Sequence, residues 1–342
     1  MSDASRTPVL LKGGARTPIG RFLGGLSPVS APELGAIAVR AAVERSGIDV
    51  NDVQEVIMGN VGTAGVGQAP ARQAAIGGGV PETVPALTIN KVCGSGLQAV
   101  MLADQSIRAG DNHLVVAGGF ENMTASPHLA HVRGGVKFGD TSMIDHMAFD
   151  GLTCAFEEWG MGFAAEHIAS KHGISREELD RYSAQSHQRA AAATEAGWFD
   201  GEIVPLEAKQ IKQKADVTSD EGIRPDTTAE GLAKLRPSFS KDGVVTAGNA
   251  SQISDGAAAL VIASEEKAAE LVCTPLATIV ASCTVGVDPK EIFDAPAKGI
   301  RQLLDDQGLG VDDIDLFELN EAFAAQVLAN IGELGISEDK LN

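Results

Sequence analysis

The residue type most suited to chemistry here is a cysteine in a special setting. Cys93 sits within Thr88-Ile89-Asn90-Lys91-Val92-Cys93-Gly94-Ser95-Gly96-Leu97, between an apolar run and a helical pattern. Val84 to Ile89 is apolar and β-branched enough to predict a buried strand. Leu97, Val100, Met101, Asp104 and Ile107 fall at helical spacing until Gly110. A sulfur at such a strand-to-helix turn gains in three ways. The helix N-terminus favours a thiolate, the flanking glycines let a substrate approach the backbone, and unpaired N–H groups can face a developing oxyanion. Nucleophilic attack is the chemistry this setting suits. Two other readings compete. An unpaired cysteine is often a small core hydrophobe. Gly94-x-Gly96-x-x-Ala99 is also a weak dinucleotide fingerprint, with Glu121 as ribose ligand, although that fingerprint normally opens the first βαβ unit and considerable chain precedes it here.

The elements that must position Cys93 read as an α/β alternation. Pro8 to Leu11 predicts a first strand. Ser30 and Glu33 form a capping box for a helix with Leu34, Ile37, Ala38 and Ala41 on one face, closed at Gly47. A strand over Val53 to Val61, a helix over Ala69 to Ile76, the Cys93 unit and an apolar strand from His113 to Gly119 follow. This predicts a mostly parallel sheet covered on both faces. From Met123 to about Val245 polar loops and two helices interrupt the rhythm; the second helix runs from the capping box Ser175/Glu178 to Gly197. Strands resume over Ala257 to Ile262 and Ala277 to Val285. Gly47-x-x-Val50-x-Asp52-Val53 recurs as Gly308-x-x-Val311-x-Asp313-Ile314, which reads as a duplicated half-domain.

Composition narrows the classes of function. A chain of 342 residues, 44% hydrophobic, has room for two or three domains, and with 4% aromatic content its core must be aliphatic. A formal charge of −19 repels nucleic acid and anionic membranes, so neither is an expected partner. Cys93, Cys154, Cys273 and Cys283 form no C-x-x-C pair, which indicates neither a zinc site nor a redox motif. A reduced cytoplasmic setting is the default, and no signal peptide or transmembrane stretch is evident. Within this acidic chain Lys209 to Lys214, Arg224, Lys234 and Arg236 concentrate positive charge, either as a solvated face or as a grip for phosphate.

Asn90-Lys91-Val92-Cys93-Gly94-Ser95-Gly96 resembles the nucleophile motif of the thiolases, the family of acetyl-CoA acetyltransferases and 3-ketoacyl-CoA thiolases. Arg16 to Gly20, Gly118 to Met123, Thr246 to Ser251 and Asn320 to Ala324 agree in order and spacing. The resemblance implies a five-layered αβαβα fold of two similar halves. Residues 1–122 and 246–273 would form the N-terminal half, 123–245 an inserted loop domain that binds coenzyme A, and 274–342 the C-terminal half. It also implies ping-pong acyl transfer through S-acyl-Cys93, either Claisen condensation of two acetyl-CoA or thiolysis of a 3-ketoacyl-CoA. Asn320 would orient a water in the enolate cradle. Met161, Arg224, Ser251 and Phe323 would contact coenzyme A or the acyl group. No cofactor is implied beyond the acyl-CoA and free CoA substrates, and no metal; a homodimer or homotetramer is implied.

Departures from the pattern shape two further expectations. By the internal repeat, the second-half counterpart of the Cys93 turn would fall beyond Asn342, so the second half is expected to be incomplete, without the histidine and second cysteine that the family uses to handle protons. Gly160 stands where many biosynthetic members place a histidine. The chain is therefore read as a thiolase whose isolated form is inactive, or alternatively as a non-catalytic coenzyme A-binding remnant. A β-ketoacyl synthase fits less well, because synthases of this fold place histidine at the position of Asn320.

Overall fold

The computed structural model describes residues 6–342. In chain order its first elements are β1 (Pro8–Leu11), β2 (Ala15–Arg16), β3 (Gly20–Arg21), α1 (Ala31–Ser46), β4 (Glu55–Gly59), α2 (Pro70–Gly77), β5 (Ala86–Ile89), α3 (Ser95–Ala109) and β6 (Leu114–Asn122). Then come β7 (His128–Leu129), β8 (Ile144–Asp145), α4 (Met161–His172), α5 (Arg176–Glu195) and α6 (Ala229–Leu232). The last are β9 (Ser254–Ser264), α7 (Glu265–Glu270), β10 (Pro275–Thr278), α8 (Ala295–Gln307) and α9 (Ala324–Leu334). They sort into two units: one takes the chain up to 151 with 198–222 and 253–280, the other takes 152–197, 223–252 and 281–342. Residues 123–245 are thus shared between both units.

The first unit is built on one sheet in the order β10-β1-β9-β6-β4-β5, with β2 and β3 also on β9. Strand β4 runs parallel to both β5 and β6, and helices α2 and α3 make the crossovers that parallel pairing demands. Strand β9 runs antiparallel to β6 and β1, and β1 antiparallel to β10. The sheet is therefore mixed, not mostly parallel. Chain enters β9 from the long excursion after β6, which imposes no crossover helix and so leaves its direction open. Two further expectations change at the edges. Strand β5 is the last on its side, which leaves Leu87 43% exposed where a buried strand was expected. The strand expected over Ala277 to Val285 pairs only through Thr278, because its partner β1 begins at Pro8.

Aliphatic side chains fill the space between α1 and the sheet, Val56, Met58, Leu114, Val116 and Val261 among them. Glycines set the closest approaches. A Cβ at Gly118 would lie 2.0 Å from the carbonyl oxygen of Ala258, and one at Gly59 would lie 2.6 Å from Cβ of Ser95. The N-terminus of α3 consequently rests directly on β4.

The second unit has its own core of Ile168, Leu179, Tyr182, Phe293, Phe317, Val327 and Ile331. Among its described residues pairing is confined to isolated bridges such as Ala250 with Phe323 and Phe317 with Leu341. Strands β7 and β8 of the first unit pair antiparallel as a separate two-stranded sheet. The sequence repeat is nonetheless visible. Helix α1 ends at Gly47 (φ 75°) before a single turn at Val50–Asp52; α8 ends at Gly308 (φ 67°) before a single turn at Val311–Asp313. Left-handed backbone at both helix stops explains why glycine occurs in both copies.

Candidate active site

Cys93 occupies the loop between the C-terminal end of β5 and the N-terminus of α3. It is an exposed, free thiol, so the sulfur is not sealed in the core. The residue before it is strained: Val92 has φ 49°, a left-handed conformation that is rare for a β-branched side chain and costs on the order of 1–3 kcal/mol. The surroundings over-determine that conformation. Val92 N–H donates to Asn90 Oδ1 at 2.9 Å, and Ser95 donates to the Val92 carbonyl from both its N–H (3.1 Å) and its hydroxyl (2.6 Å). Gly94 N–H donates to the Lys91 carbonyl at 3.1 Å.

Electrostatics at the sulfur differ from the expectation. Although Cys93 is exposed as a residue, desolvation pushes its thiol up from the ordinary value, and a hydrogen bond from its own backbone N–H pulls only partly back. That shift favours the protonated thiol, so nucleophilic attack calls for a base to take the proton.

Glu121, the residue that a dinucleotide reading would assign to a ribose, is already occupied. Its carboxylate accepts from the backbone N–H groups of Val61 (2.8 Å) and Gly62 (3.2 Å) and from Asn60 Nδ2 (2.9 Å). Burial raises its pKa while these donors oppose the rise. Glu121 thus organises the loop after β4, beside the elbow: Asn60 N–H donates to the Ile89 carbonyl at 3.0 Å.

The other sequence-derived candidates belong to the second unit. Ser251 and Phe323 are brought together by a short ladder, Ser251 N–H to the Ala322 carbonyl (3.3 Å), the Ala250–Phe323 bridge and Ala324 N–H to the Asn249 carbonyl (3.1 Å). Asn320 is exposed just before this ladder. Its neighbour Glu321 accepts from the hydroxyls of Tyr182 (2.6 Å) and Ser186 (2.8 Å). Arg224 is exposed, and its N–H donates to His187 Nδ1 at 3.2 Å. Burial and the Arg224 charge hold His187 below its usual pKa. Met161 opens α4 from Gly160.

Phe239 escaped the sequence reading. Its ring lies 6.4 Å from that of Phe323 and 6.1 Å from that of Phe163, and a Cβ at Gly162 would fall 2.2 Å from Phe239 Cζ. In a chain with so few aromatic residues, a phenylalanine between two polar loops was the available signal. A trio with metal-type ligands, His172, Asp294 and Glu333, is engaged in ion pairs: His172 and Lys171 with Asp294 (3.1 and 2.6 Å), Arg301 with Glu333 (3.0 Å). Among the described residues no helix is long and apolar enough to cross a membrane.

Comparison with known proteins adds to this geometry. Residues 9–266 match the family description "Thiolase, N-terminal domain" and residues 273–342 match "Thiolase, C-terminal domain". The chain is 51% identical over 336 residues to an acetyl-CoA acetyltransferase of Chromobacterium violaceum, covering 98% of this chain and 86% of the relative. It is 49% identical over 338 residues to a probable acetyl-CoA acyltransferase of Staphylococcus aureus, with the same coverage. The crystal structure of the Bacillus anthracis acetyl-CoA acetyltransferase superposes with a TM-score of 0.94 at 41% identity, covering 98% of this chain and 85% of that one. The expected incompleteness of the second half finds no support in these matches, which take up both family domains. Nor do they favour a non-catalytic remnant, since the matched relatives carry enzyme names over nearly all of this chain.

Proposed function

The chain belongs to the thiolase family, and from that premise we propose that it transfers acyl groups between coenzyme A thioesters through an S-acyl intermediate on Cys93. The observation that carries this reading is an accessible sulfur on a strained strand-to-helix elbow. In the first half-reaction a base takes the Cys93 proton, the sulfur attacks the thioester carbonyl, and coenzyme A leaves as its thiolate. In the second, the α-carbon of an acetyl-CoA loses a proton and attacks the acyl group, releasing Cys93 and forming a 3-ketoacyl-CoA; thiolysis is the reverse. Each half builds an oxyanion that needs donors. Asn320 orients a water for one of them, and Cys93 N–H serves the other.

Met161, Ser251 and Phe323 contact the pantetheine arm or acyl group in this reading, and Arg224 supplies a cation to the nucleotide phosphates. The Ala250–Phe323 bridge, beside the bond from Ser251 N–H to the Ala322 carbonyl, brings Ser251 and Phe323 close and supports their joint assignment. We retain the division into an N-terminal half (1–122 and 246–273), a coenzyme A-binding insertion (123–245) and a C-terminal half (274–342). Acyl-CoA and free coenzyme A are the small-molecule partners in this reading, which calls for no metal. Assembly of copies into a dimer or tetramer is supported by the edge position of β5 and the exposure of Leu87, Val92 and Leu97. A cytoplasmic location suits the four unpaired cysteines.

Mass spectrometry after incubation with acetyl-CoA tests the first half-reaction. An added acetyl group on Cys93, absent from Cys93→Ser, is the expected result; an unmodified Cys93 under saturating acetyl-CoA would overturn the assignment.

A further inference from the structure

We propose that Ser95 is a positioning residue of this reaction, its hydroxyl holding the two residues before Cys93 so that the sulfur is presented to an acyl thioester. The proposal rests on Cys93 being the nucleophile. Ser95 is 4% exposed, and its Oγ uses both of its hydrogen-bonding capacities within the elbow: it donates to the Val92 carbonyl at 2.6 Å and accepts from Lys91 N–H at 2.8 Å.

Those partners lie on the wrong side for a helix cap. A capping serine precedes its helix and accepts from N–H groups one turn further on. Ser95 is instead the first residue of α3, the capping position belongs to Gly94, and the Ser95 hydroxyl reaches backwards into the loop. What it fixes is therefore the loop. It does so at the point of greatest strain, since the carbonyl it holds belongs to Val92, the residue in left-handed conformation.

Chain on the other side of the elbow is shaped to admit this arrangement. Because position 59 is glycine, β4 leaves a notch that Ser95 fills, where any Cβ at 59 would lie 2.6 Å from that of Ser95. A small side chain seated against the sheet, with its hydroxyl turned to Lys91 and Val92, ties the nucleophile's approach angle to the rigid sheet. Displacement of a reacting group by about 1 Å is enough to cost on the order of a hundredfold in rate.

The test compares the parent chain with Ser95→Ala, Ser95→Thr and Ser95→Val, following acetyl transfer from acetyl-CoA to Cys93 by quenched mass spectrometry over a range of acetyl-CoA concentrations. In Ser95→Ala we expect the limiting acetylation rate to fall about ten- to a hundredfold, with the half-saturating acetyl-CoA concentration unchanged. Ser95→Thr, which keeps the hydroxyl, acetylates faster than Ser95→Val, which matches its shape without it; this pair decides the matter if Ser95→Ala fails to fold. A purely structural role loosens the elbow and speeds alkylation of Cys93 by iodoacetamide, whereas a positioning role leaves alkylation within a few-fold of the parent. Parent-like acetylation of Ser95→Ala, equal rates for the threonine and valine variants, or accelerated alkylation would each overturn the proposal. If the parent itself takes no acetyl group on Cys93, the family mechanism fails and this proposal with it, whereas an acetylated parent with indifferent variants sinks the role of Ser95 alone.

Discussion

The phenolic hydroxyl of Tyr182 donates to Glu321 Oε1 at 2.6 Å, tying helix α5 to the loop that carries Asn320. Tyr182 is 4% exposed. Burial first, and then Glu321, push its pKa up from the ordinary 10.0. Removing the hydroxyl in Tyr182→Phe should lower unfolding free energy by about 1–2 kcal/mol at neutral pH, read by urea denaturation. The sign of the pH effect follows from the raised pKa. Unfolded tyrosine ionises first as pH climbs past 10.0, so the stability of the parent falls there. The phenylalanine variant lacks that component of the fall; an identical alkaline limb in both proteins would contradict the tie.

Desolvation, opposed by its own N–H, holds the Cys93 thiol above its ordinary pKa. Iodoacetamide should therefore modify Cys93 at a rate that rises with pH through an inflection above that of a model cysteine. The inflection disappears in Cys93→Ser. An inflection near neutrality would show that a charged partner acts on the sulfur after all.

Gly118 and Gly59 are predicted to tolerate no side chain. Gly118→Ala drives a methyl into the Ala258 carbonyl oxygen, a backbone atom that cannot rotate away, and should cost at least about 3 kcal/mol. Gly59→Ala presses on Ser95 instead, so the elbow should give before the sheet does. Chemical denaturation of both variants, with acetylation of Cys93 measured in parallel, separates the outcomes: stability loss dominates at 118, loss of acetylation at 59.

At Gly162 the neighbour is the tip of the Phe239 ring, which is able to move. Gly162→Ala should shift Phe239 against Phe323 and raise the half-saturating acyl-CoA concentration about tenfold, with little change in thermal midpoint. Steady-state kinetics with acyl-CoA substrates of increasing length would reveal it as a change in chain-length preference. Unchanged preference would show that the packing of Phe239 on Phe323 does not shape acyl binding.

Lys171 bridges Glu291 and Asp294, at 2.6 Å from each, and holds the Glu291 pKa down to about 2. A carboxylate with a depressed folded pKa stabilises above its unfolded value and loses that contribution as pH falls through the folded one. The contribution of Glu291 should thus fade between about pH 4.5 and about pH 2. With Lys171 42% exposed, solvent screening limits the neutral-pH effect of Glu291→Gln to about 1 kcal/mol or less. Denaturation of parent and variant at pH 7 and at pH 2.5 should show the difference shrinking in acid.

What the sequence disclosed was largely local. The capping boxes Ser30/Glu33 and Ser175/Glu178 form as expected, each glutamate reaching back to the serine N–H at 2.9 and 2.8 Å. Cys93 stands at the strand-to-helix turn that its neighbours foretold. Long-range relations were hidden. The direction of β9 depends on how a long insertion returns to the sheet, which no short pattern records. The tie between Tyr182 and Glu321 spans 139 positions and joins residue types that are ordinary in isolation. Helix polarity suggested a stabilised thiolate, whereas the desolvation that raises the Cys93 pKa depends on tertiary surroundings outside any local motif. Likewise, the left-handed Val92 carries no compositional mark, since valine is among the last residues expected in that conformation.

An uncovered sulfur also meets oxidants. Hydrogen peroxide converts a thiolate to a sulfenic acid and, with more oxidant, to forms that thiols do not reverse. Desolvation gives Cys93 a measure of shelter: because it favours the protonated thiol, it disfavours the peroxide-sensitive thiolate. Chemical vulnerability at position 93 is thereby coupled to removal of the thiol proton, the same event that arms the sulfur for acyl transfer.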